Sequence, residues 1–558
     1  MNYSNEKIID GKLFELIMRS GAAGLKEHID SVNDLNVFPI PDGDTGDNMF
    51  HTIYGGVKNF TTEKDGEVGI GKKATLLSDG MLLNARGNSG VILSQLFFGI
   101  AGALKPLTTA SVFDLATAFG EGVKTAYLAV VQPVEGTILT VARESAEYAA
   151  ERVNENSTLS TFFGDMLYEM KISLEHTPEL LPVLKEAGVI DSGGAGLYYV
   201  IDGMLKAVNG DPLSLTERTD EQNKDLDFSL FNENSVMTYG YCTEFLLQLQ
   251  TSKTDVKAFD VNTIIDYLNT VGDSIVAFKT GTVVKVHVHT LTPHKVLEFC
   301  QNFGEFLTVK IENMTLQHNE TLKDKAKDEV AFTKVEKARK KYGVVTVASG
   351  RGIVDMLKEL GADEVIDGGQ TDNPSSEEFI NAFKKVNADC IFVLPNNGNI
   401  ILTAKQAGKM YDRSEIRVIE TKNVGDCYAA LSMADFSTDN PYDAEKILRD
   451  NMNGVSTGMI SVSVRDANLN NVAVKKGDYV GFTDKTMLTS SPDKMTAFRS
   501  LCEKMNIDKN MFLIAIYGRS VTADEKKGVK DFAAKYGGLE FYEVDGEQDV
   551  YDFILIFQ

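Results

Sequence analysis

The first 208 residues carry apolar side chains at helical spacing, interrupted by turns that contain glycine. Residues three and four apart share one face of a helix, so this pattern predicts an all-helical first domain over 1–208. A charged stretch at 217–225 follows it and has the composition of a linker. The predicted helices are 7–20, 74–83, 91–104, 112–131, 140–154, 159–176 and 194–208.

The spacing of apolar residues changes after about residue 236, where it becomes that of strands. We expect strands at 241–250, 274–279, 283–290 and 307–313, with helices at 260–271 and 293–303. This order is β-α-β-β-α-β, and it predicts a middle α+β sandwich domain over 226–322.

The last region, 340–558, alternates apolar strands with amphipathic helices, which predicts an α/β region built on a parallel, doubly wound sheet. Strands near 457–465, 479–482, 511–517 and 551–557 predict a second lobe that starts near residue 440. The fold class is therefore multidomain: an all-α domain, an α+β domain and a two-lobed α/β region.

Composition narrows the functional classes. The formal charge of −24 argues against a nucleic-acid partner, because phosphate contacts need clustered Lys and Arg. We read no apolar run that approaches the ~18 residues of a transmembrane segment, and no signal peptide at the amino terminus. The five cysteines show no paired spacing, so disulfides are not expected. These features predict a cytoplasmic protein.

In the segment 36–49, Asp42 and Asp44 lie on either side of Gly43. Hard oxygen ligands on a short loop suit Mg²⁺, which binds one or two protein carboxylates and completes its shell with water and phosphate. A solvated Asp-Gly turn is the ordinary alternative. Asp47 joins the same cluster if a helix starts at Thr45.

Three further polar turns precede predicted helices: 84–90, 135–137 and 191–196. In the first, Asn88 and Ser89 with the amides of the next helix form an anion cradle, or else the segment is a plain inter-helix turn. Asp191 is placed to accept hydrogen bonds from a ribose or to fix its own loop. If one end of the bundle gathers all four turns, it suits a nucleotide diphosphate with Mg²⁺.

The middle region contains a candidate zinc site. His287 and His289 alternate on one predicted strand, so both lie on one face, and Cys242 lies on another strand. A thiolate with two imidazoles is a common Zn²⁺ ligand set, although a His-x-His strand without metal is also common. In the last region, the loop 368–376 follows a strand and is either a partner-contact loop or a helix cap.

Taken in order, these motifs resemble the ATP-binding subunit of bacterial fatty acid kinase. The first region resembles the nucleotide-binding subunit of dihydroxyacetone kinase, an eight-helix barrel that holds ADP and two Mg²⁺. The resemblance covers nearly the whole chain. The segments that carry it are 36–46, 85–95, 135–144, 191–196, 240–245, 286–290, 311–318, 368–371 and 394–397.

This resemblance implies roles for particular residues. Asp42 and Asp44 would be catalytic and would ligate Mg²⁺, with Asn36 as a further ligand. Cys242, His287 and His289 match the family's Zn²⁺ site in the middle domain, structural or catalytic. The ATP site would be lined by Thr45, Asn48, Gly87, Asn88, Ser89, Gly90, Thr137 and Asp191.

The resemblance also implies a reaction. The acceptor would be a fatty acid carboxylate presented by a separate fatty-acid-binding protein, and the product an acyl phosphate for phospholipid metabolism. The last region would recognise that carrier. A kinase of a small hydroxylated metabolite and a nucleotide-binding scaffold without transfer activity are the alternatives. A homodimer is left open.

The chain departs from the family pattern in four places. Asp47 stands where the family usually has Thr, and Asp372 where it usually has Met. The segments 421–426 and 545–549 also differ from the expected motifs. Because three of the four departures fall in the last region, ATP use is better supported than the identity of the substrate.

Overall fold

A computed structural model describes residues 2–36, 43–62, 69–130, 132–215, 241–256, 258–280, 282–313, 339–369, 372–484 and 486–558. The chain divides into two compact units. One combines Met1–Glu217 with Lys337–Gln558, and the other is Arg218–Glu336. Each unit has its own buried hydrophobic clusters.

The first region is helical. A short strand, β1 (Ile8–Ile9), pairs with β2 (Ala110–Ser111). The helices are α1 (Gly11–Glu27), α2 (Ile29–Asn33), α3 (Thr45–Lys58), α4 (Ile70–Leu83), α5 (Gly87–Leu104), α6 (Val112–Ala129), α7 (Ile138–Arg152), α8 (Leu159–Leu180), α9 (Pro182–Ala187) and α10 (Ser192–Val208).

The seven predicted helices are present, with ends that shift by a few residues. The largest correction is at the first one, which is Gly11–Glu27 rather than 7–20, so that it begins four residues later and ends seven residues later than predicted. The Asp10 carboxylate accepts a hydrogen bond from the Leu13 N–H at 2.8 Å and caps the helix there. Helices α2, α3 and α9 were not in the predicted set.

Helix α5 corrects a second expectation. By length and composition it is apolar enough to cross a membrane, whereas we had read no such run in the sequence. In the structure, 61% of this segment is buried inside the protein. A buried core helix of a helical domain has the same composition, and α5 packs against α3, α4 and α6.

The middle unit has the predicted element order: β3 (Tyr241–Leu249), α11 (Asn262–Val271), β4 (Gly272–Thr280), β5 (Val283–Thr290), α12 (Pro293–Cys300) and β6 (Gly304–Asn313). Its sheet has the order β4-β5-β3-β6 with antiparallel pairing throughout. Val284, Val286 and Val288 are buried, so this set of alternate β5 positions faces the core.

The last region begins with a four-stranded sheet of order β10-β9-β7-β8, in which every pair is parallel, as the sequence predicts. Helices connect consecutive strands, and both faces of the sheet are buried, because alternate residues of β7 and β9 belong to two different hydrophobic clusters. The elements are β7 (Lys340–Ala348), α13 (Arg351–Glu359), β8 (Glu364–Asp367), α14 (Ser376–Val386), β9 (Ala388–Leu394), α15 (Ile401–Met410), β10 (Glu415–Val418), α16 (Val424–Ser432) and α17 (Pro441–Asn451).

A second, six-stranded sheet follows, with the order β15-β14-β11-β18-β16-β17. This sheet is mixed, because β16 and β17 pair in parallel while the other pairs are antiparallel. The elements are β11 (Ser456–Val462), β12 (Ala467–Leu469), β13 (Val472–Val474), β14 (Tyr479–Thr483), β15 (Thr486–Ser491), α18 (Lys494–Lys504), β16 (Phe512–Tyr517), α19 (Ala523–Ala533), β17 (Glu540–Asp545) and β18 (Phe553–Phe557).

Candidate functional site

The Asp44 carboxylate lies at the amino-terminal end of helix α3. Asp44 is the N-cap residue, and only 8% of it is exposed. Within the described residues its side chain makes no capping bond to its own helix. Asn373, from the last region, donates a hydrogen bond from Nδ2 to Asp44 Oδ2 at 2.5 Å. A buried carboxylate is therefore held by a residue more than three hundred positions away in the sequence.

Two asparagines brace this end of α3. Asn36 Oδ1 accepts a hydrogen bond from Thr45 Oγ1 at 2.9 Å. Asn33 Oδ1 accepts from the Gly46 N–H at 2.7 Å, and its Nδ2 donates to Asp47 Oδ2 at 2.7 Å. A helix does start at Thr45, but the Asp47 carboxylate is engaged by Asn33 at the end of α2.

The turn that begins helix α5 packs directly against α3. Gly87 has φ +58°, and a Cβ there would lie 2.6 Å from Asn48 Nδ2. A Cβ at Gly90 would lie 2.4 Å from Thr52 Oγ1. Both distances are shorter than any ordinary contact, and the left-handed backbone at 87 also favours glycine. The glycines let the two helix starts approach each other.

The starts of helices α10 and α7 adjoin the same region. Ser192 Oγ donates to Thr45 Oγ1 at 3.2 Å, which links α10 to α3. Asp191 caps α10 by accepting from the Gly194 N–H at 2.7 Å, and its carboxylate also accepts from the Ile138 N–H of α7. Thr137 caps α7, and its hydroxyl donates to the Val134 carbonyl at 2.7 Å.

Burial raises the pKa of Asp191 to about 6, while hydrogen bonds from the Gly194, Ile138 and Gly193 amides act in the opposite direction. A carboxylate that must shed most of its water becomes harder to ionise, and these amides do not fully compensate. Asp191 is thus a group whose charge depends on pH and on what binds beside it.

Four helix starts are therefore connected in the order α5, α3, α10 and α7. Helix amino termini carry unpaired N–H groups and partial positive charge, which favours anions. The Asp44 carboxylate in their midst favours a cation. A cluster with both properties suits a phosphate group that is accompanied by a metal ion.

Asn88 and Ser89 occupy the first turn of α5, both half-buried. Asn88 Nδ2 lies 3.4 Å from the Gly398 carbonyl of the last region, a long hydrogen bond. The Asn88 Oδ1 atom is buried and has no hydrogen-bond partner in the described parts of the chain. This side chain can accept a further donor.

The loop before α14 completes the site from the last region. Arg86 donates to the Asn373 carbonyl at 2.9 Å, and its guanidinium lies 3.0 Å from Asp372 and 3.4 Å from Glu378. Ser375 and Glu378 form a capping box at the start of α14. The loop is thus both a helix cap and a contact with the helical domain.

Sequence reasoning missed Asn373 and Arg86. The signal for Asn373 was its place in a loop at the carboxyl end of a strand, where α/β folds hold ligands. The signal for Arg86 was its position directly before Gly87, in a turn already selected for anion binding.

Some predicted site residues are not brought into this cluster. Asp42 lies outside the described residues. For Cys242, His287 and His289 the structure describes only the backbone, where Cys242 pairs with His289 and Glu244 with His287 across β3 and β5. Among the side chains that are described, no group of three or more His, Cys, Asp or Glu could hold a metal ion.

Three consecutive segments of the chain match known protein families, and they correspond to the three regions described above. Residues 39–206 match the DAK2 domain. Residues 238–321 match the middle domain of the FakA-like fatty acid kinase family, and residues 343–558 match its C-terminal domain.

Full-length relatives match over almost the entire chain. Protein YloV of Bacillus subtilis is 36% identical over 558 residues, which covers 98% of this chain and 99% of YloV. An uncharacterized protein of Staphylococcus saprophyticus is 36% identical over 554 residues, with coverage of 98% and 99%. The chain is thus a kinase with a DAK2 domain. It belongs to the FakA-like family of fatty acid kinase proteins.

Solved structures of DegV proteins match part of the chain. The fatty-acid-binding DegV family protein of Thermus thermophilus aligns at a TM-score of 0.30 and 11% identity, covering 39% of this chain and 99% of that protein. The fatty-acid-binding DegV of Bacillus subtilis aligns at 0.29 and 14% identity, covering 39% and 98%.

Proposed function

We propose that this protein transfers the γ-phosphoryl group of ATP to the carboxylate of a fatty acid presented by a separate fatty-acid-binding protein, giving an acyl phosphate. One observation carries the proposal. The buried Asp44 carboxylate lies at the start of α3, and hydrogen bonds and close glycine contacts connect this helix start with the starts of α5, α10 and α7. Family membership supports the kinase class and the fatty acid system.

The side chains around Asp44 fit Mg²⁺ as the metal. The Asp44 carboxylate, the Asn36 amide oxygen and the Thr45 hydroxyl are hard oxygen donors at one helix start. We assign Asp42 to the same set from its place in the sequence. When bound, Mg²⁺ would neutralise charge on the phosphate oxygens. Two ions are expected from the family resemblance.

The protein's own contribution is to bind and orient the triphosphate. The amides of the α5 turn, Gly87 to Gly90, with the Asn88 and Ser89 side chains, supply fixed dipoles for phosphate oxygens. Asn48 adjoins that turn. Thr45, Thr137 and Asp191 are assigned to the nucleotide because they lie at the linked starts of α3, α7 and α10.

The proposed acceptor needs no general base. A fatty acid carboxylate is ionised at neutral pH, so its oxygen is ready to attack phosphorus. Phosphoryl transfer depends mainly on positioning and on neutralising charge. A hydroxylated metabolite would instead have to lose a proton during the reaction.

We keep the three-domain division of 1–208, 226–322 and 340–558, with a lobe boundary near 440, and we assign carrier recognition to the last domain. We place the protein in the cytoplasm. These assignments follow from sequence pattern and family membership.

We also propose Zn²⁺ at Cys242, His287 and His289. The backbone register supports this set, because Cys242 and His289 are paired and His287 is two positions along the same strand. Elemental analysis of purified protein is expected to find zinc in the wild type and to lose it in Cys242→Ser. A wild-type protein without zinc would refute the assignment, and Cys300→Ser, at a buried free thiol, is the control.

An omission assay tests the reaction. ATP consumption is measured with fatty acid and its binding protein together, and with each omitted in turn. We expect turnover only with both present, and a product sensitive to hydroxylamine, as acyl phosphates are. Turnover with dihydroxyacetone and no binding protein would indicate a metabolite kinase. Nucleotide binding without any turnover would indicate a scaffold.

A further inference from the structure

Asn373 lies where the last region meets the start of α3. It is only 1% exposed, and its Nδ2 donates to Asp44 Oδ2. A Cβ built on Gly87 would lie 3.4 Å from the same Nδ2 atom. The amide nitrogen of Asn373 therefore adjoins both the carboxylate that we assign to Mg²⁺ and the first residue of the turn that we assign to phosphate.

Asn397 contacts the other end of the Asn373 amide. It is 5% exposed, and its Nδ2 donates to Asn373 Oδ1 at 3.3 Å and to the Gly369 carbonyl at 3.4 Å. Its Oδ1 accepts from the Asn399 N–H at 2.8 Å and caps the short 3-10 helix Gly398–Ile400. A chain of hydrogen bonds thus runs from the backbone of the last region through two buried amides to the start of α3.

The direction of this hydrogen-bond chain is fixed at both of its ends. A backbone N–H can only donate, so the Asn397 oxygen faces Asn399 and the Asn397 nitrogen faces Asn373. An ionised carboxylate can only accept, so the Asn373 nitrogen faces Asp44 and the Asn373 oxygen faces Asn397. Turning over one amide alone would place acceptor against acceptor, and a buried polar atom without a partner is costly.

We propose that Asn397 is a positioning residue for the kinase reaction: through Asn373 it keeps a hydrogen-bond donor on the Asp44 carboxylate and so lowers the affinity of that carboxylate for Mg²⁺. The N–H of Asn373 and a metal ion compete for the same carboxylate oxygen. This inference rests on the proposed function, because it takes Asp44 as a ligand of Mg²⁺.

Capping the 3-10 helix is the ordinary role of such an asparagine, and Asn397→Asp separates that role from the proposed one. Aspartate has nearly the same shape and still accepts from the Asn399 N–H, so the cap is kept. Its second oxygen, however, faces the Asn373 oxygen. We expect the Asn373 amide to turn over in this variant and to present its own oxygen beside Asp44, where a further hard oxygen favours Mg²⁺.

The test is calorimetry on the full chain at about pH 8, where carboxylates are ionised. ADP is titrated in excess Mg²⁺ and again in EDTA, and the ratio of the two affinities measures the contribution of the metal. We expect Asn397→Asp to raise this ratio by about threefold or more. Asn399→Ala is the matched control, because it keeps the backbone N–H and should keep the wild-type ratio.

A second variant covers the case in which Asn397→Asp does not fold. Asn397→Ser keeps a capping oxygen and loses the amide donor, so the hold of Asn373 on Asp44 is weakened without being reversed. We expect this variant to raise the ratio by about twofold. A wild-type ratio in the folded variants, with folding checked by circular dichroism, overturns the proposal.

A double variant tests whether the effect passes through Asn373. In the background of Asn373→Ala, Asn397→Asp is expected to leave the ratio unchanged, because the intervening amide is gone. An equal shift in both backgrounds overturns the positioning role of Asn397. Equal affinities of the wild type in Mg²⁺ and in EDTA would instead refute the Mg²⁺ assignment, which is a failure of the proposed function itself.

Discussion

Asp44 and Asp191 are both buried or half-buried N-cap aspartates of the helical domain, yet they use their carboxylates differently. The Asp191 carboxylate accepts hydrogen bonds from backbone amides of α10 and α7. Asp44 makes no such bond within the described chain and is met instead by the Asn373 amide.

The two aspartates differ in what holds each carboxylate: backbone amides of two helices hold Asp191, whereas a side chain of the last region contacts Asp44. Three amide hydrogen bonds fix Asp191 in place, and its burial raises its pKa to about 6. Asn373, on a loop of the last region, donates to the Asp44 carboxylate, which we propose binds a cation. The same helix position, the N-cap, thus has different hydrogen-bonding surroundings in α3 and in α10.

The largest expected effect comes from Asp44→Asn, which keeps the shape and removes the charge. We expect ATP turnover to fall by roughly 10²–10³-fold or more, because the variant loses the carboxylate we assign to Mg²⁺. The omission assay measures it, with thermal unfolding as the check on folding. Asp42→Ala is expected to abolish turnover in the same way. Wild-type turnover in either variant would end the metal assignment.

Asp191→Asn is compared with Asp44→Asn, because it removes the charge of an N-cap carboxylate that we assign to the nucleotide and not to Mg²⁺. An asparagine oxygen still accepts from the Gly194 N–H and still caps α10. We therefore expect turnover within about tenfold of wild type, which is about 1.4 kcal/mol. A loss as large as that in Asp44→Asn would show that the charge of Asp191 also acts on the nucleotide and would remove the contrast between the two.

The same variant changes the dependence of stability on pH. The folded pKa of Asp191, about 6, lies above its ordinary 3.8, so the unfolded chain ionises first as pH rises. The contribution of Asp191 to the free energy of unfolding of the wild-type protein therefore falls between about pH 4 and pH 6, by an amount on the order of 2–3 kcal/mol. Above about pH 6 this contribution is constant. Urea unfolding of the wild type and of Asp191→Asn at several pH values measures this fall, which is expected to be absent in the variant. If the free energies of unfolding of the two proteins changed with pH in parallel, the Asp191 carboxylate would not be desolvated in the folded state.

Asn373→Ala tests how the loop controls Asp44. Its amide donates to Asp44 Oδ2, so it competes with a cation for that oxygen. A hydrogen bond to a charged group contributes roughly 1.5–3 kcal/mol, part of which water restores in the variant. We expect Mg²⁺-nucleotide to bind several-fold more tightly by calorimetry. Weaker binding of Mg²⁺-nucleotide would mean that Asn373 orients the Asp44 carboxylate for the metal. The control variant is Asn399→Ala, on the neighbouring turn.

The smallest effects are expected at the salt bridges of the same loop. Asp372 has 80% of its side chain exposed, so Asp372→Ala should change stability by less than about 0.5 kcal/mol. Arg86→Gln also loses the bond to the Asn373 carbonyl, and we expect about 1 kcal/mol. Denaturant unfolding measures both. Equal losses would show that the exposed ion pair, rather than the carbonyl contact, holds the loop.

Local pattern predicted most of the elements. Strand 283–290 agrees with the structure at both ends and helix 159–176 at its start, because apolar periodicity and a capping box define them. Helix α3 was not in the predicted set, since glycines and polar residues obscure its apolar face. The mixed second sheet was not foreseen either, because strand direction depends on long-range pairing.

Local sequence also predicted only part of the candidate site. Asp44, Gly87 and Asp191 could be selected from the sequence because each precedes or begins a helix. The Asn373 contact could not, because nothing in local sequence says which distant side chain reaches Asp44.

The hydrogen bond from Asn373 to Asp44 means that the surroundings of Asp44, the aspartate we propose as a Mg²⁺ ligand, are not built by the amino-terminal domain alone. A fragment that stops after α10 would expose this aspartate to bulk water and would report the wrong affinity for magnesium and nucleotide. Biochemical dissection should therefore begin from point substitutions in the intact polypeptide and treat truncations as a different molecule.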